Sequence, residues 1–263
     1  MKAIKLFEEI HNEITDEGLS RRDALSKGLD FGIKAAISAI PLLFFELKTN
    51  KAKAAPTGIT DVVTDVLNFA LTLEYLEAEF YTTGLGTSNL IPGSDRTLIQ
   101  QISKHETAHV ALLQSTITSL NGTPVAKPTF DFTAGGTFGD VFTNYQTFLA
   151  LSNAFEDTGV RAYKGQAANL LGSGAVLTAA LDIHSVEARH ASEIRRLRGL
   201  KGWISNAEAN GLPAAIYAGE DNTMQGGVDV KTLTTSSATS ITEAFDEPLT
   251  KDEVLAIAGP FIK

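Results

Sequence analysis

The chain has 263 residues, of which 43% are hydrophobic, so it can bury a full core as one large domain or as one domain with extensions. The absence of cysteine excludes disulfides, thiolate zinc sites, iron–sulfur clusters and thiol catalysis, and it leaves His, Asp and Glu as the side chains for any transition metal. The formal net charge of -9 argues against a nucleic-acid partner, because phosphate binding needs clustered Lys and Arg.

The first 54 residues follow the order of a secretory signal. The pair Arg21-Arg22 precedes an apolar run over residues 28–45, and the small-residue motif Ala52-Lys53-Ala54 comes after it. This order resembles a twin-arginine (Tat) signal, which implies the Tat export machinery as a partner and a periplasmic or otherwise exported protein. The alternative is a cytoplasmic protein in which Ser20 caps an ordinary N-terminal helix. We expect residues 1–54 to be an export signal and linker.

Four long segments then predict helices A to D, because each lacks an internal proline and carries apolar residues at helical spacing. They span about residues 60–83, 94–120, 140–171 and 173–200. Between helices B and C, residues 122–139 are rich in Gly, Pro and Thr, and this stretch, when extended, crosses about 50 Å. The connection can therefore return the chain to the opposite end of a bundle formed by residues 55–200.

Residues 201–263 predict a C-terminal extension that packs on the bundle. The polar segment 232–242 has strand or coil character. Further on, Thr250-Lys251-Asp252-Glu253 predicts a capping box that opens a short helix over residues 253–258, and Gly259-Pro260 ends it. We expect the apolar side of this helix to dock on the bundle or on a neighbouring subunit.

Each predicted helix carries a glutamate near its middle. These are Glu74, Glu106, Glu156 and Glu187. In helices B and D a histidine follows three residues later, at His109 and His190, so each Glu-x-x-His pair projects from one helical face. In helices A and C the glutamate lies within an apolar run, where an unpaired carboxylate is not expected.

The two halves of the bundle form an internal repeat. A tyrosine follows the glutamate by seven residues in helices A and C, at Tyr81 and Tyr163. The glutamate of the following helix lies 32 residues after that of helix A and 31 residues after that of helix C. One turn after the first glutamate, Glu77 could ligate a metal too, although its counterpart in helix C is Gly159. The tyrosines either orient the glutamates or are core aromatics whose hydroxyls find another partner. We expect His105 at the surface or beside the site.

Four carboxylates that converge in an apolar interior would repel, and each would cost several kcal/mol to desolvate. They must be protonated, be paired with cations or bind metal. Two divalent ions would neutralise four carboxylates, with two neutral imidazoles completing the set of ligands. Since Lys and Arg are absent from matching positions, the sequence predicts a metal centre. The cations of helix D lie in its C-terminal half, Arg195 among them, where they suit the helix dipole.

With these residues the chain resembles the ferritin-like di-metal carboxylate proteins, and in particular the Tat-exported ferritin-like proteins related to plant desiccation-related proteins. The resemblance covers about residues 61–200, and residues 243–250 are also similar to the desiccation-related group. It implies an all-α ferritin-like four-helix bundle with a long B-to-C crossover. Its implied ligands are Glu74, Glu106, His109, Glu156, Glu187 and His190, with Glu106 and Glu187 as bridges. Tyr81 and Tyr163 would orient ligand carboxylates.

The same resemblance implies two divalent transition-metal ions and redox chemistry with O2 or H2O2, of a ferroxidase or peroxide-scavenging type. Iron is preferred over manganese, because the symmetric double Glu-x-x-His is more similar to di-iron proteins than to manganese catalases. No catalytic residue beyond the ligands is predicted. The alternative is a non-enzymatic stress or desiccation-related protein whose metal only stabilises the bundle, and a third possibility, iron storage, would need a hollow homo-oligomer.

Overall fold

The computed structural model describes residues 57–263, and the export signal expected at residues 1–54 lies outside them. Its four long helices are α1 (Thr57–Gly86), α2 (Gly93–Ser119), α3 (Tyr145–Gln166) and α4 (Ala175–Leu197). Helices α1 and α2 form one hairpin and α3 and α4 the other, while α1 also packs on α3 and α2 on α4. Each helix thus contacts two neighbours, as in a four-helix bundle. The predicted all-α bundle with a long crossover is confirmed.

Helix α3 is the most deeply buried of the four. Every residue from Leu151 to Tyr163 is buried, so this helix is covered around its whole circumference. Helix α1 is similar, with no exposed side chain between Val66 and Tyr81. Within residues 57–263, no helix has the length and apolarity that crossing a bilayer requires.

Several helix boundaries differ from those predicted, including the end of α3 at Gln166 rather than near residue 171, and two of the differences have a clear structural cause. Helix α1 continues through Gly84, where the sequence predicts its end, because this glycine gives room to an aromatic ring: a Cβ there would lie 2.3 Å from Phe148 Cε2. Helix α3 begins at Tyr145 rather than near residue 140, since Asn144 caps it by accepting a hydrogen bond from the Gln146 amide. Both errors arise because a residue type alone does not say whether it packs or ends a helix.

The crossover between α2 and α3 runs along the bundle. Asn121, with φ of 62°, ends α2 in the left-handed conformation that asparagine tolerates. The Asn68 side chain of α1 then holds the crossover, donating to the Thr123 carbonyl and accepting from the Val125 amide. Farther along, Phe130 pairs with Ile262 in a short antiparallel bridge. The crossover is thus fixed to α1 and to the C-terminal residues.

The C-terminal extension contains small elements. Strands β1 (Met224–Gln225) and β2 (Val228–Asp229) pair as a hairpin, followed by the short helices α5 (Ala238–Thr242) and α6 (Lys251–Ala258). The strand-or-coil prediction for residues 232–242 is wrong for its last five residues, which form α5 behind the Ser237 cap. The capping box of Thr250 and Glu253 is formed as predicted. Single 3-10 turns span Ala167–Leu170, Ala214–Tyr217, Val230–Thr232 and Gly259–Phe261.

A buried arginine of α3 holds this extension against the bundle. Arg161 is fully buried, pairs with Glu220 at 2.9 Å and donates to backbone carbonyls of the extension, including that of Glu247 at 2.7 Å. The Leu249 amide in turn donates to the Arg161 carbonyl at 3.1 Å. Next to these contacts, an apolar cluster joins both parts of the chain. Its buried members are Phe69, Leu73, Ala162, Leu249, Val254 and Ala258.

Candidate metal centre

The structure brings the four predicted glutamates together in the middle of the bundle. Each comes from a different helix, and the side chains are fully buried or nearly so. Both predicted histidines join them and are also buried. The spacing of three residues in each Glu-x-x-His pair has the expected effect, since the glutamate and histidine of α2, and likewise those of α4, face the same interior point.

The six side chains form two groups of four. The first contains Glu74, Glu106, His109 and Glu187, and the second contains Glu106, Glu156, Glu187 and His190. Within each group, one candidate ligand atom from every residue lies within 4.8 Å of the others. Glu106 and Glu187 belong to both groups, whereas the remaining four residues belong to one each.

The two shared glutamates direct one oxygen toward each histidine. Glu106 Oε2 lies 3.4 Å from His109 Nδ1, while its Oε1 lies 2.8 Å from His190 Nδ1. Glu187 Oε1 lies 3.0 Å from His109 Nδ1, and its Oε2 lies 3.5 Å from His190 Nδ1. This is the orientation required of a carboxylate that bridges two ions. Ligands about 2.1 Å from a metal are themselves about 3.0 to 3.4 Å apart, so these separations suit a metal between them.

Several of these atoms lack a hydrogen-bond partner. Both carboxylate oxygens of Glu106 and of Glu187, one oxygen of Glu156, and Nδ1 of His190 are buried without one in the part of the chain that the structure describes. Native proteins seldom leave so many buried polar atoms unsatisfied in one place. A cation would satisfy all of them together, so the residues present fit a bound metal.

The charges within the cluster also favour a bound cation. Burial on its own lowers the pKa of His109, but contact with three carboxylates, Glu106 foremost, outweighs it and raises that pKa to about 12. Burial favours a raised pKa at Glu187, yet contact with the two imidazoles lowers that pKa to about 2. Burial also raises the pKa of Glu156 to about 7. Without metal, protons hold this group of charges together, and metal binding must release some of them.

The two repeat tyrosines reach the glutamates of the opposite half. Tyr81 of α1 donates to Glu156 Oε1 at 2.5 Å, and Tyr163 of α3 donates to Glu74 Oε1 at 2.5 Å. Both tyrosines are buried. Each hydroxyl therefore fixes one oxygen of a glutamate that belongs to a single group and leaves the other oxygen facing the histidines.

A scan against protein-family models matches residues 62–200 to the ferritin-like domain. The match covers more than half of the chain, from the start of α1 to just beyond α4. The chain belongs to the ferritin-like domain family. A comparison with curated proteins finds no relative that matches.

The ferritin-like bundle holds one further buried carboxylate beside the two groups. Glu77, one turn beyond Glu74 on α1, is only 3% exposed. Its pKa is raised well above the usual value, first by burial and then by the charge of Glu187. It belongs to neither group of four. The sequence anticipates Glu77 near the site, and the structure places it there without direct contact with the histidines.

A third imidazole contacts the centre from outside. His105 Nδ1 lies 2.8 Å from His190 Nε2, the ring nitrogen that faces away from the carboxylates, and the Gln101 amide lies 2.6 Å from His105 Nε2. If Nδ1 of His190 holds a metal, its Nε2 carries the proton and donates to His105. His105 would then orient the ligand ring, which agrees with the second of the two places, at the surface or beside the site, that the sequence leaves open.

Sequence reasoning missed a buried network one residue from the centre. Asp157 forms a bidentate pair with Arg195, at 2.9 and 2.5 Å, and also accepts a hydrogen bond from Tyr217 of the extension at 2.7 Å. Arg195 is buried, so interpreting it only as a cation near the helix C-terminus is incomplete. The one signal in the sequence was an aspartate beside Glu156 in the middle of a helix.

Proposed function

We propose that the bundle holds two divalent transition-metal ions and carries out oxidoreductase chemistry with O2 or H2O2. Iron is the preferred metal and manganese the alternative. The observation that carries the proposal is that two groups of four candidate ligands share Glu106 and Glu187, so that two ions would be bridged by carboxylates from both hairpins. Two divalent ions also balance the charge of the four glutamates.

When bound, the metal pair would supply electrons for the reduction of the oxidant. Two electrons from a ferrous pair, together with two protons, would reduce one H2O2 to two waters or one O2 to H2O2. Glu106 and Glu187 would hold the ions side by side, and Glu74 and Glu156 would each hold one. The chain has no cysteine, so it contains no rubredoxin-type relay and an external reductant would have to restore the ferrous state.

The chain's own residues would keep the ligands in place while the ions change charge. Tyr81 and Tyr163 each fix one oxygen of a terminal glutamate, whereas no residue from 57 to 263 restrains Glu106 or Glu187 by a hydrogen bond. The two bridges are therefore the freer ligands and can adjust to the size and charge of the ions. This division of roles follows from which carboxylates have a phenolic donor and which do not.

Export by the Tat machinery, membership in the desiccation-related group and assembly into a homo-oligomer are parts of the same proposal. The order of Arg21-Arg22, the apolar run and Ala52-Lys53-Ala54 supports export. Because Tat carries folded proteins, a metal could be loaded before transport. Such a protein would act on O2 or H2O2 in the periplasm or outside the cell.

Anaerobic loading with ferrous iron, followed by a measured dose of O2 or H2O2, tests the activity. We expect the wild-type protein to consume the oxidant and form ferric iron faster than a Glu106→Gln, Glu187→Gln double variant. Circular dichroism would verify that the variant is folded. Equal rates for the two proteins would refute the proposed activity.

The second candidate is a non-enzymatic protein in which the metal only stabilises the bundle. Full burial of Glu74, Glu106 and Glu156 favours it, since no ligand oxygen of these residues faces solvent. In that case the wild-type protein would bind metal and melt at a higher temperature with it, yet would consume neither oxidant. The same loaded samples thus separate the two candidates.

A further inference from the structure

The internal repeat breaks at one pair of positions beside the centre. One turn after the glutamate of α1 stands Glu77, and one turn after the glutamate of α3 stands Gly159. The two positions face each other across the bundle: a Cβ on Gly159 would lie 3.2 Å from Glu77 Oε1 and 3.9 Å from Glu187 Oε2. The Glu77 carboxylate therefore occupies the room that the absent side chain leaves, next to a shared glutamate.

Within residues 57–263, Glu77 forms no ion pair. It is 3% exposed, and among residues 57–263 no side chain or backbone amide donates a hydrogen bond to it. Its neighbour Glu74 differs in this respect, because Tyr163 donates to that carboxylate. The two buried arginines of α3 and α4 are committed elsewhere, Arg161 to Glu220 and Arg195 to Asp157. A carboxylate with so little exposure and no counter-ion is costly to keep charged, and a bound cation would compensate that charge.

We propose that Glu77 is a seventh ligand of the metal centre, seated in the gap at Gly159 and reaching the ions from the side of α1 and α3. This inference rests on the proposed function, because it needs metal at the six residues already described. Both histidines come from α2 and α4, whereas Glu77 comes from α1. The side of the centre that α1 and α3 form would therefore supply only carboxylates, one of them Glu77. Glu77 also makes the halves of the repeat unequal, since α1 supplies two carboxylates and α3 one.

The extra carboxylate changes the charge that the centre favours. Five carboxylates and two neutral imidazoles balance a total metal charge of five, or of six with one hydroxide. A pair of divalent ions leaves one negative charge uncompensated. Glu77 therefore biases the centre toward at least one trivalent ion, and its removal should raise the reduction potential of a bound iron pair.

Titration of the metal-free full chain with Co²⁺ tests the ligand role, with affinity and visible absorption as readouts that need no turnover. We expect Glu77→Gln to bind Co²⁺ at least about tenfold more weakly than the wild type. Its spectrum should also be stronger per ion, because cobalt with fewer ligands absorbs more intensely. Glu79→Gln is the matched control: it removes a carboxylate of the same helix that pairs with Lys127 outside the centre.

A second variant, on α3, perturbs the Glu77 carboxylate without changing Glu77 itself. Gly159→Ala places a methyl group 3.2 Å from Glu77 Oε1 and should shift the carboxylate by a few tenths of an ångström, which should weaken Co²⁺ binding in the same direction but by less. Combined with Glu77→Gln it should add little, because both changes act through one side chain. Without metal, Glu77→Gln should melt close to the wild-type temperature, since it replaces a buried acid by an amide of the same shape.

The outcomes separate the two claims. If the wild type binds no Co²⁺, the proposed metal centre fails and the seventh ligand fails with it. If the wild type binds Co²⁺ and Glu77→Gln matches it and Glu79→Gln in affinity and spectrum, the centre stands and the role of Glu77 is overturned. A selective loss in Glu77→Gln that Gly159→Ala reproduces supports the proposal.

Discussion

The close contact between α3 and the C-terminal extension makes Gly165→Ala a sensitive test of the fold. A Cβ on Gly165 would lie 1.9 Å from the Leu249 carbonyl oxygen, whereas real Cβ atoms stay beyond 3.0 Å of such atoms. The extension would have to retreat by roughly 1 Å, because neither backbone can yield locally. That movement strains the hydrogen bond from the Leu249 amide to the Arg161 carbonyl and the one from Arg161 to the Glu247 carbonyl.

The expected cost follows from these contacts. A neutral hydrogen bond contributes about 1 kcal/mol, one from a charged donor about 1.5 to 3, and overpacking costs about 1 to 3. The losses are partial, and alanine in a helix regains up to about 1 kcal/mol over glycine. We therefore expect a loss of about 2 to 4 kcal/mol in the free energy of unfolding. For a domain of this size, that is a fall of roughly 5 to 15 °C in melting temperature.

Thermal unfolding followed by circular dichroism measures the fall in melting temperature, with Gly259→Ala as the control. Gly259 lies in the same extension, has φ of -50°, and has nothing within 4 Å of a Cβ added there. The control should melt within a few degrees of the wild type. If Gly165→Ala melts together with the control, residues 246–249 do not lie against α3 and the account of the extension is wrong.

Three further predictions concern the centre and its surroundings. Tyr81→Phe removes the donor to Glu156 and should weaken Co²⁺ binding by about 10- to 100-fold without unfolding the protein, as a cobalt titration would reveal. Asp157→Asn leaves Arg195 buried without its carboxylate and should cost about 3 to 5 kcal/mol in urea denaturation, most of which an added Arg195→Met should restore. Burial alone lowers the pKa of His109, but its carboxylate neighbours raise it to about 12, so metal must displace a proton there. Zinc affinity measured from pH 6 to pH 8 should therefore rise about tenfold per pH unit for each proton released, and a flat profile would contradict this charge balance.

The centre could be predicted because its signal is local and repeated. Spacings of three and seven residues within unbroken helices fix which side chains share a face, and two copies of one pattern exclude coincidence for the set as a whole. That Glu106 and Glu187 direct an oxygen to each histidine agrees with the bridging role expected from the resemblance. Their role as ligands is still a prediction that metal analysis has to test.

The contacts that hold the extension could not be predicted in the same way. Arg161 and Glu220 lie far apart in the sequence, as do Asp157 and Tyr217, and no periodicity links such residues. The sequence also gives no reason to choose between an exposed and a buried Arg195, since both are compatible with the last turn of a helix. Pairings of this kind depend on how segments without regular structure return to the bundle.

Gly84 illustrates a second limit. Glycine usually favours the end of a helix, and the sequence therefore predicts that α1 stops before it. In the fold the helix continues, because the glycine admits the Phe148 ring, which stacks on Phe80 with ring centroids 4.8 Å apart. Whether the glycine ends the helix or admits a ring depends on where the neighbouring helix lies, and tertiary packing determines that position.

The metal-to-chain ratio is the most direct test of the central claim that six side chains from four helices hold two ions. It should be measured by elemental analysis on protein purified from its native host, and again after metal removal and reloading with iron or manganese. We expect two ions per chain for the wild type, and a loss of both in the folded Glu106→Gln, Glu187→Gln double variant, because each ion depends on both shared carboxylates. A wild-type protein without bound metal, or a double variant that retains the full amount, would contradict it.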